Sequence, residues 1–125
     1  TNISNVNISG ISLSMRIKSS STGGTISNAI CENITGNDCL SIDGEDWLLS
    51  NLRLKNSSSS SFAIDFEPGA KRIRCENINI NHLGTSNSVI RIQSPCENIE
   101  LVGGYIKNGT VADMGIDSKI DLTLL

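Results

Sequence analysis

Short runs in which apolar and polar residues alternate recur along the whole chain. Alternation with a period of two is typical of β-strands that bury one face, and we find no long window with the 3.6-residue period of a helix. The pattern therefore predicts an all-β chain of short strands. The apolar positions expected to point inward include Leu13, Met15, Ile17, Leu40, Ile42, Phe62, Ile64, Phe66, Ile90 and Ile92.

A four-residue sequence repeats and indicates how the strands are arranged. Cys31-Glu32-Asn33-Ile34 returns at residues 75–78 and 96–99, and looser copies surround Asn5 and Asn51. The asparagines at 5, 33, 51, 77 and 98 are separated by 28, 18, 26 and 21 residues. Repeats of this length predict a solenoid, and the uneven steps favour a β-solenoid with variable loops over regular helical repeats.

Stacking the repeats predicts what each position does. The five asparagines would form a ladder at a bend, because Asn tolerates the left-handed conformation and can bond to its neighbours above and below. Cys31, Cys75 and Cys96 would share one inward column, and Glu32, Glu76 and Glu97 would stack on a solvated turn. We expect all four cysteines to be free buried thiols, although a bridge between Cys75 and Cys96 is the alternative.

Composition narrows the class of protein. The 125 residues predict one domain, residues 1–125, which we expect to be a piece of a longer chain. The net charge of −3 and the lack of a basic patch argue against nucleic acid, and no apolar run is long enough to insert into a membrane. We expect no cofactor and no metal site. Free thiols favour assembly in a reducing cytoplasm, and open sheet edges favour a homo-oligomer, a trimer.

Two segments resemble a known family. Met15-Arg16-Ile17-Lys18-Ser19, followed by Gly23-Gly24 and Glu32-Asn33-Ile34-Thr35, resembles the Arg-Ile-Lys segment of polygalacturonase-type glycoside hydrolases. In a second alignment, residues 37–42 resemble the family's Asp-Asp-Cys strand and residues 91–93 a degraded Arg-Ile-Lys. The resemblance implies the pectin lyase-like fold, a right-handed single-stranded parallel β-helix (β-solenoid), which phage tailspikes and appendages share. The five repeats predict about five coils.

The chain departs from that family where catalysis would occur. Asn37 replaces one of the paired aspartates, and Ser60-Ser61-Phe62 stands where Gly-His-Gly would be. In the first alignment, the coils with the paired aspartates and the histidine would precede Thr1. We therefore expect that this chain alone does not catalyse a reaction.

One exposed strip carries the candidate site. If Ile17, Ile42, Ile64 or Phe66, and Ile92 stack in one column, their outward neighbours form a charged face. Carboxylates one or two coils apart would then be about 5 or 10 Å apart, which brackets the separations that glycosidases use. The alternative is a solvated face of alternating charge. The catalytic candidates are Asp38, Asp43 and Asp65, and the substrate-binding candidates are Arg16, Lys18, Glu67 and Arg91.

These features lead to three functional hypotheses. The first is a β-helix segment of a phage or bacterial surface-fibre or tailspike protein that engages polysaccharide at the virion or extracellular surface. The second is a fragment of a polygalacturonase-type glycoside hydrolase or of a polysaccharide lyase. The third is a structural shaft segment with no ligand.

Overall fold

The computed structural model describes residues 2–5, 7–9, 15–17, 22–34, 38–56, 62–82 and 88–125, which contain strands and no helix. The strands are β1 (Asn2–Ser4), β2 (Asn7–Ser9), β3 (Met15–Ile17), β4 (Thr22–Ile34), β5 (Leu40–Ile42), β6 (Glu45–Asn56), β7 (Ile64–Phe66), β8 (Lys71–His82), β9 (Ser88–Ile92), β10 (Glu97–Lys107), β11 (Thr110–Asp113) and β12 (Lys119–Leu124). The prediction of an all-β chain is confirmed. Nothing in the described part of the chain is a helix that could span a membrane.

The strands form two parallel sheets. The long sheet has the order β1-β4-β6-β8-β10-β12, with β2 also paired to β4, and the short sheet has the order β3-β5-β7-β9-β11. The chain passes from a long-sheet strand to a short-sheet strand and back, which is the path of a β-solenoid. About three turns, β4–β5, β6–β7 and β8–β9, have a paired coil on both sides in both sheets. This is slightly fewer than the five coils predicted.

The core lies between the sheets and consists of stacked aliphatic side chains. In the short sheet, Ile17 pairs with Ile42, Ile42 with Phe66 and Phe66 with Ile92, so the predicted inward column is confirmed. In the long sheet, Ile26, Leu49, Cys75 and Leu101 form a matching column. All of these residues are buried. Burial of such side chains contributes about 25 cal/mol per Å² and is the main stabilising term.

The asparagine ladder exists, but two of its five predicted members, Asn33 and Asn98, are wrong. Asn5, Asn28, Asn51 and Asn77 adopt left-handed φ angles of 56°, 54°, 55° and 54° at equivalent positions. The Nδ2 of Asn51 donates to Oδ1 of Asn28 at 3.2 Å, and Nδ2 of Asn77 donates to Oδ1 of Asn51 at 2.9 Å. Asn28 therefore takes the place predicted for Asn33.

A second column of bends lies in the long sheet, five residues before the ladder position of each coil. Its members have positive φ angles, which keeps the backbone turning at that point. They are Gly23 (75°), Asp46 (59°), Arg72 (52°), Asn98 (55°) and Asp117 (55°). Asn98 belongs to this column and not to the ladder, where Gly103 (φ 79°) occupies the position beside Asn77.

The three copies of Cys-Glu-Asn-Ile consequently lie at different places in the coil, and the predicted cysteine column is wrong. Cys31 pairs with Leu54, Cys75 pairs with Leu49 and Leu101, and Cys96 lies beside Ala70. All four cysteines are free and buried, as predicted.

The predicted glutamate column is wrong for the same reason. Glu32 pairs with Lys55, Glu97 with Lys71, and Glu76 with Ser50 on one side and Val102 on the other. Like charges therefore do not stack on adjacent coils at these positions. The left-handed bends, and not the repeated Cys-Glu-Asn-Ile sequence, determine the register between coils.

Candidate functional site

The candidate residues lie mainly on the outer surface of the short sheet, which we call the short-sheet face. It consists of Ser41, Asp65 and Arg91 in one column and of Asp43, Glu67 and Gln93 in the next. The strands place them there because each follows or precedes an inward residue of the column Ile42–Phe66–Ile92. The backbone of Arg16 pairs with Ser41 and extends the first column, and Lys18 lies outside the described residues.

Asp65 is at an outward position but is buried, which corrects the prediction that it lies on an exposed strip. Its residue exposure is only 2%, because side chains of the following coil cover it. Arg91 donates from Nε to Oδ1 at 3.0 Å and from Nη2 to Oδ2 at 2.7 Å. The Nε2 of Gln93 contacts both carboxylate oxygens, at 3.1 and 3.2 Å. A carboxylate held in this way positions its neighbours and has little access to a substrate.

Arg91 is the centre of the face. The hydrogen bonds to Asp65 raise the pKa of its guanidinium, so the group stays charged. Its Cζ lies 4.4 Å from the centroid of the Phe62 ring, a cation–π geometry. Phe62 was predicted to point into the core. It precedes β7, so its side chain does not follow the alternation of that strand.

Asp43 and Glu67 occupy the second column. The Oγ of Ser41 donates to Oε1 of Glu67 at 2.7 Å, which connects the two columns. Asp43 is half-buried. It lies beside the turn at Gly69, where an added Cβ would be 2.9 Å from the Asp43 Oδ1. Because Asp43 is in register with Glu67 and Asp65 with Ser41, Asp43 and Asp65 do not face each other directly across adjacent coils.

Asp38 is a half-buried carboxyl group that precedes β5. Burial raises its pKa, and the charges of Asp65 and Glu67 act in the same direction. A hydrogen bond from the backbone N–H of Phe62 to its Oδ1, at 2.8 Å, and the charge of Arg91 oppose this effect. Sequence reasoning concentrated on Asp43 and Asp65 and did not anticipate that burial raises the pKa of Asp38.

A second charged surface, on the long sheet, was not predicted. Arg72 forms ion pairs with Glu45 and Asp46, and Arg74 forms ion pairs with Glu76 and Glu100 beside a shallow groove. The side chains of these pairs are 37–50% exposed, so each pair contributes little to stability. The signal that could have found them is the register of the bend column, which places Asp46 beside Arg72.

The arrangement can present fixed hydrogen-bonding groups and one aromatic ring to a polar ligand. Within the described ranges, no group of three His, Cys, Asp or Glu residues could hold a metal ion. No protein-family model, curated protein or solved structure matches the chain. The functional argument therefore rests on the side chains themselves.

Proposed function

We propose that this chain is a β-helix segment of a phage or bacterial surface-fibre protein and that its short-sheet face binds polysaccharide. One observation supports this most strongly. Phe62, Arg91, Asp65 and Gln93 form a continuous network on one outer face, in which the aromatic ring and the guanidinium are held in fixed positions.

The chemistry of this network suits a sugar. Binding sites combine apolar or aromatic surface with a few positioned polar groups that determine orientation. The half-buried Phe62 ring offers the apolar surface, and Arg91, Asp43 and Glu67 offer donors and acceptors for hydroxyl groups. Because Asp65 already holds Arg91, less side-chain entropy is lost when a ligand binds.

Binding without cleavage is the better-supported form of the proposal. Glycoside hydrolysis needs one protonated carboxyl group and a second carboxylate that acts as base or nucleophile. Asp65 is engaged by Arg91 and Gln93 and is poorly suited to the second role. The half-buried Asp38, with its raised pKa, favours a polygalacturonase-type hydrolase or lyase fragment as the second candidate, because it resembles a general acid.

Two matched aromatic substitutions test the binding face. Phe62→Leu removes the ring at the proposed site, and Tyr105→Leu removes a ring that is 36% exposed on the long sheet. Binding to immobilised polygalacturonate and a panel of bacterial surface polysaccharides is measured for both variants. We expect Phe62→Leu to weaken binding about tenfold or more and Tyr105→Leu to leave it unchanged.

The same panel distinguishes the alternatives. Equal binding by Phe62→Leu and the parent chain would contradict the proposed face, and no binding to any glycan would favour a structural shaft. Release of reducing ends that disappears in Asp38→Asn would establish the hydrolase instead. A homotrimer and a location at the virion or extracellular surface also belong to this proposal, and light scattering tests the first.

A further inference from the structure

Two of the four thiols are neighbours within a single coil. Cys31, near the end of β4, and Cys39, just before β5, lie on the two sides of the corner where the long sheet passes to the short sheet. The Cys31 thiol donates a hydrogen bond to the backbone carbonyl oxygen of Cys39, with a distance of 3.7 Å from Sγ to that oxygen, so the two cysteines are in direct contact. Both residues are completely buried.

The other two cysteines have different surroundings. The Cys96 thiol is directed at backbone carbonyl oxygens, 3.4 Å from that of Phe66 and 3.1 Å from that of Glu67. Cys75 packs in the column of Leu49 and Leu101. Neither interacts with another thiol among the described residues. These two residues are therefore internal controls for the reactivity of the pair.

The two members of the pair differ in acidity. The interaction with the Cys39 side chain lowers the pKa of Cys31 despite burial, whereas the interaction with Cys31 and burial both raise the pKa of Cys39. Burial alone raises the pKa of Cys75 above its ordinary value. The thiolate is the reactive form of cysteine, so Cys31 is the expected nucleophile and Cys39 the resolving thiol.

We propose that Cys31 and Cys39 form an oxidisable dithiol that a small hydroperoxide converts to a disulfide. The Cys31 sulfur attacks one oxygen of H₂O₂, the O–O bond breaks, and Cys31 sulfenic acid and water form after proton transfer. The Cys39 sulfur then attacks the sulfenic sulfur, the S–O bond breaks, and a second water leaves. Overall, two thiols are oxidised, one H₂O₂ is reduced to two waters, and one S–S bond forms.

The bridge would join the end of a long-sheet strand to the start of a short-sheet strand in the same coil. It would close a short segment and reduce the freedom of the unfolded chain, which stabilises the folded coil. A chain assembled with reduced thiols would thus gain a covalent link at this corner after exposure to oxidant. This inference is independent of the proposed glycan binding.

Tryptic mapping tests the proposal directly, because the cleavage sites separate the cysteines. Cys31 and Cys39 lie together on the peptide of residues 19–53, Cys75 on residues 75–91 and Cys96 on residues 92–107. The folded chain is treated with increasing H₂O₂, alkylated in denaturant without reductant, digested and analysed by mass spectrometry. We expect the first peptide to become lighter by two hydrogens and resist alkylation at about tenfold less oxidant than modifies Cys75 or Cys96.

Two variants complete the test. In Cys75→Ser the bridge should form as in the parent chain. In Cys31→Ser the peptide of residues 19–53 should retain an alkylatable Cys39 at the same oxidant dose. The proposal is overturned if Cys31 and Cys39 remain alkylated when Cys75 or Cys96 is oxidised, or if no bridge forms at any dose that leaves the chain folded by circular dichroism.

Discussion

Removing Arg91 should destabilise the chain far more than removing another surface arginine. Arg91→Ala takes away both charged hydrogen bonds to the Asp65 carboxylate, whose side chain is only 3% exposed. Gln93 would remain as its partner. The carboxylate would then be buried without a compensating charge, which is the costly case.

The magnitude follows from the burial of each partner. Breaking a fully buried ion pair by removing one member costs about 3–5 kcal/mol. The Arg91 side chain is 37% exposed, so water can replace part of what it supplies. We therefore expect Arg91→Ala to cost about 2–3 kcal/mol, including the cation–π contact with Phe62. Arg74→Ala should cost far less, because its ion pairs are 37–46% exposed and exposed pairs contribute little to stability.

Urea unfolding followed by the fluorescence of Trp47 measures both variants, because this residue is the only tryptophan and is buried. Midpoints are compared only between variants with equal m-values, because the m-value reports the surface area exposed on unfolding. The double variant Asp65→Leu/Arg91→Met, which removes both charges, should recover most of the loss. The reasoning is refuted if Arg91→Ala and Arg74→Ala shift the midpoint equally.

Three further predictions concern the ladder, the buried histidine and the bends. Asn51→Ala should lower the free energy of unfolding in urea by about 2–3 kcal/mol, because it loses both ladder hydrogen bonds and strains a φ of 55°. Asn51→Gly loses the same hydrogen bonds without the strain and should cost about half as much. Equal losses would contradict the contribution of backbone strain. Both ring nitrogens of His82 are buried and have no hydrogen-bond partner among the described residues. Burial lowers the pKa of His82 from 6.5, so the unfolded chain binds the proton more tightly. Stability should therefore fall as pH drops below about 6.5, by at most about 1.4 kcal/mol per pH unit. His82→Leu should lessen that dependence in unfolding midpoints measured between about pH 5 and 8, and an unchanged slope would contradict it. Gly104→Ala would place a Cβ 1.9 Å from the Ile78 carbonyl oxygen and should prevent folding, as judged by circular dichroism. Gly23→Ala, whose Cβ would have no atom within 4 Å, should cost only about 1–2 kcal/mol of backbone strain. A folded Gly104→Ala would refute the close packing of β8 and β10.

Local features of the fold could be predicted from the sequence because they depend on neighbouring residues. Alternation placed Ile17, Ile42, Phe66 and Ile92 inward, and stacking then placed them in one column. The register between coils was harder to predict from the sequence. The repeated Cys-Glu-Asn-Ile suggested one alignment, but left-handed bends determine the actual one, and Asn28 lies 23 residues from both Asn5 and Asn51.

The candidate site shows the same limit. Position within the strand correctly placed Asp65 on the outer side of the short sheet. Its burial depends on Arg91 and Gln93, which are 26 and 28 residues further along the chain, and no local pattern reveals that cover. Phe62 was misplaced because alternation was extended to a residue that precedes the strand.

Mapping a bound glycan onto the folded chain tests the central proposal most directly. Backbone amide chemical shifts are recorded while the best-binding polysaccharide fragment from the panel is added. We predict that perturbations concentrate at Phe62, Asp43, Glu67, Arg91 and Gln93. Perturbations concentrated on the long sheet, around Arg72 and Tyr105, or no saturable perturbation at any residue, would contradict the proposed binding face.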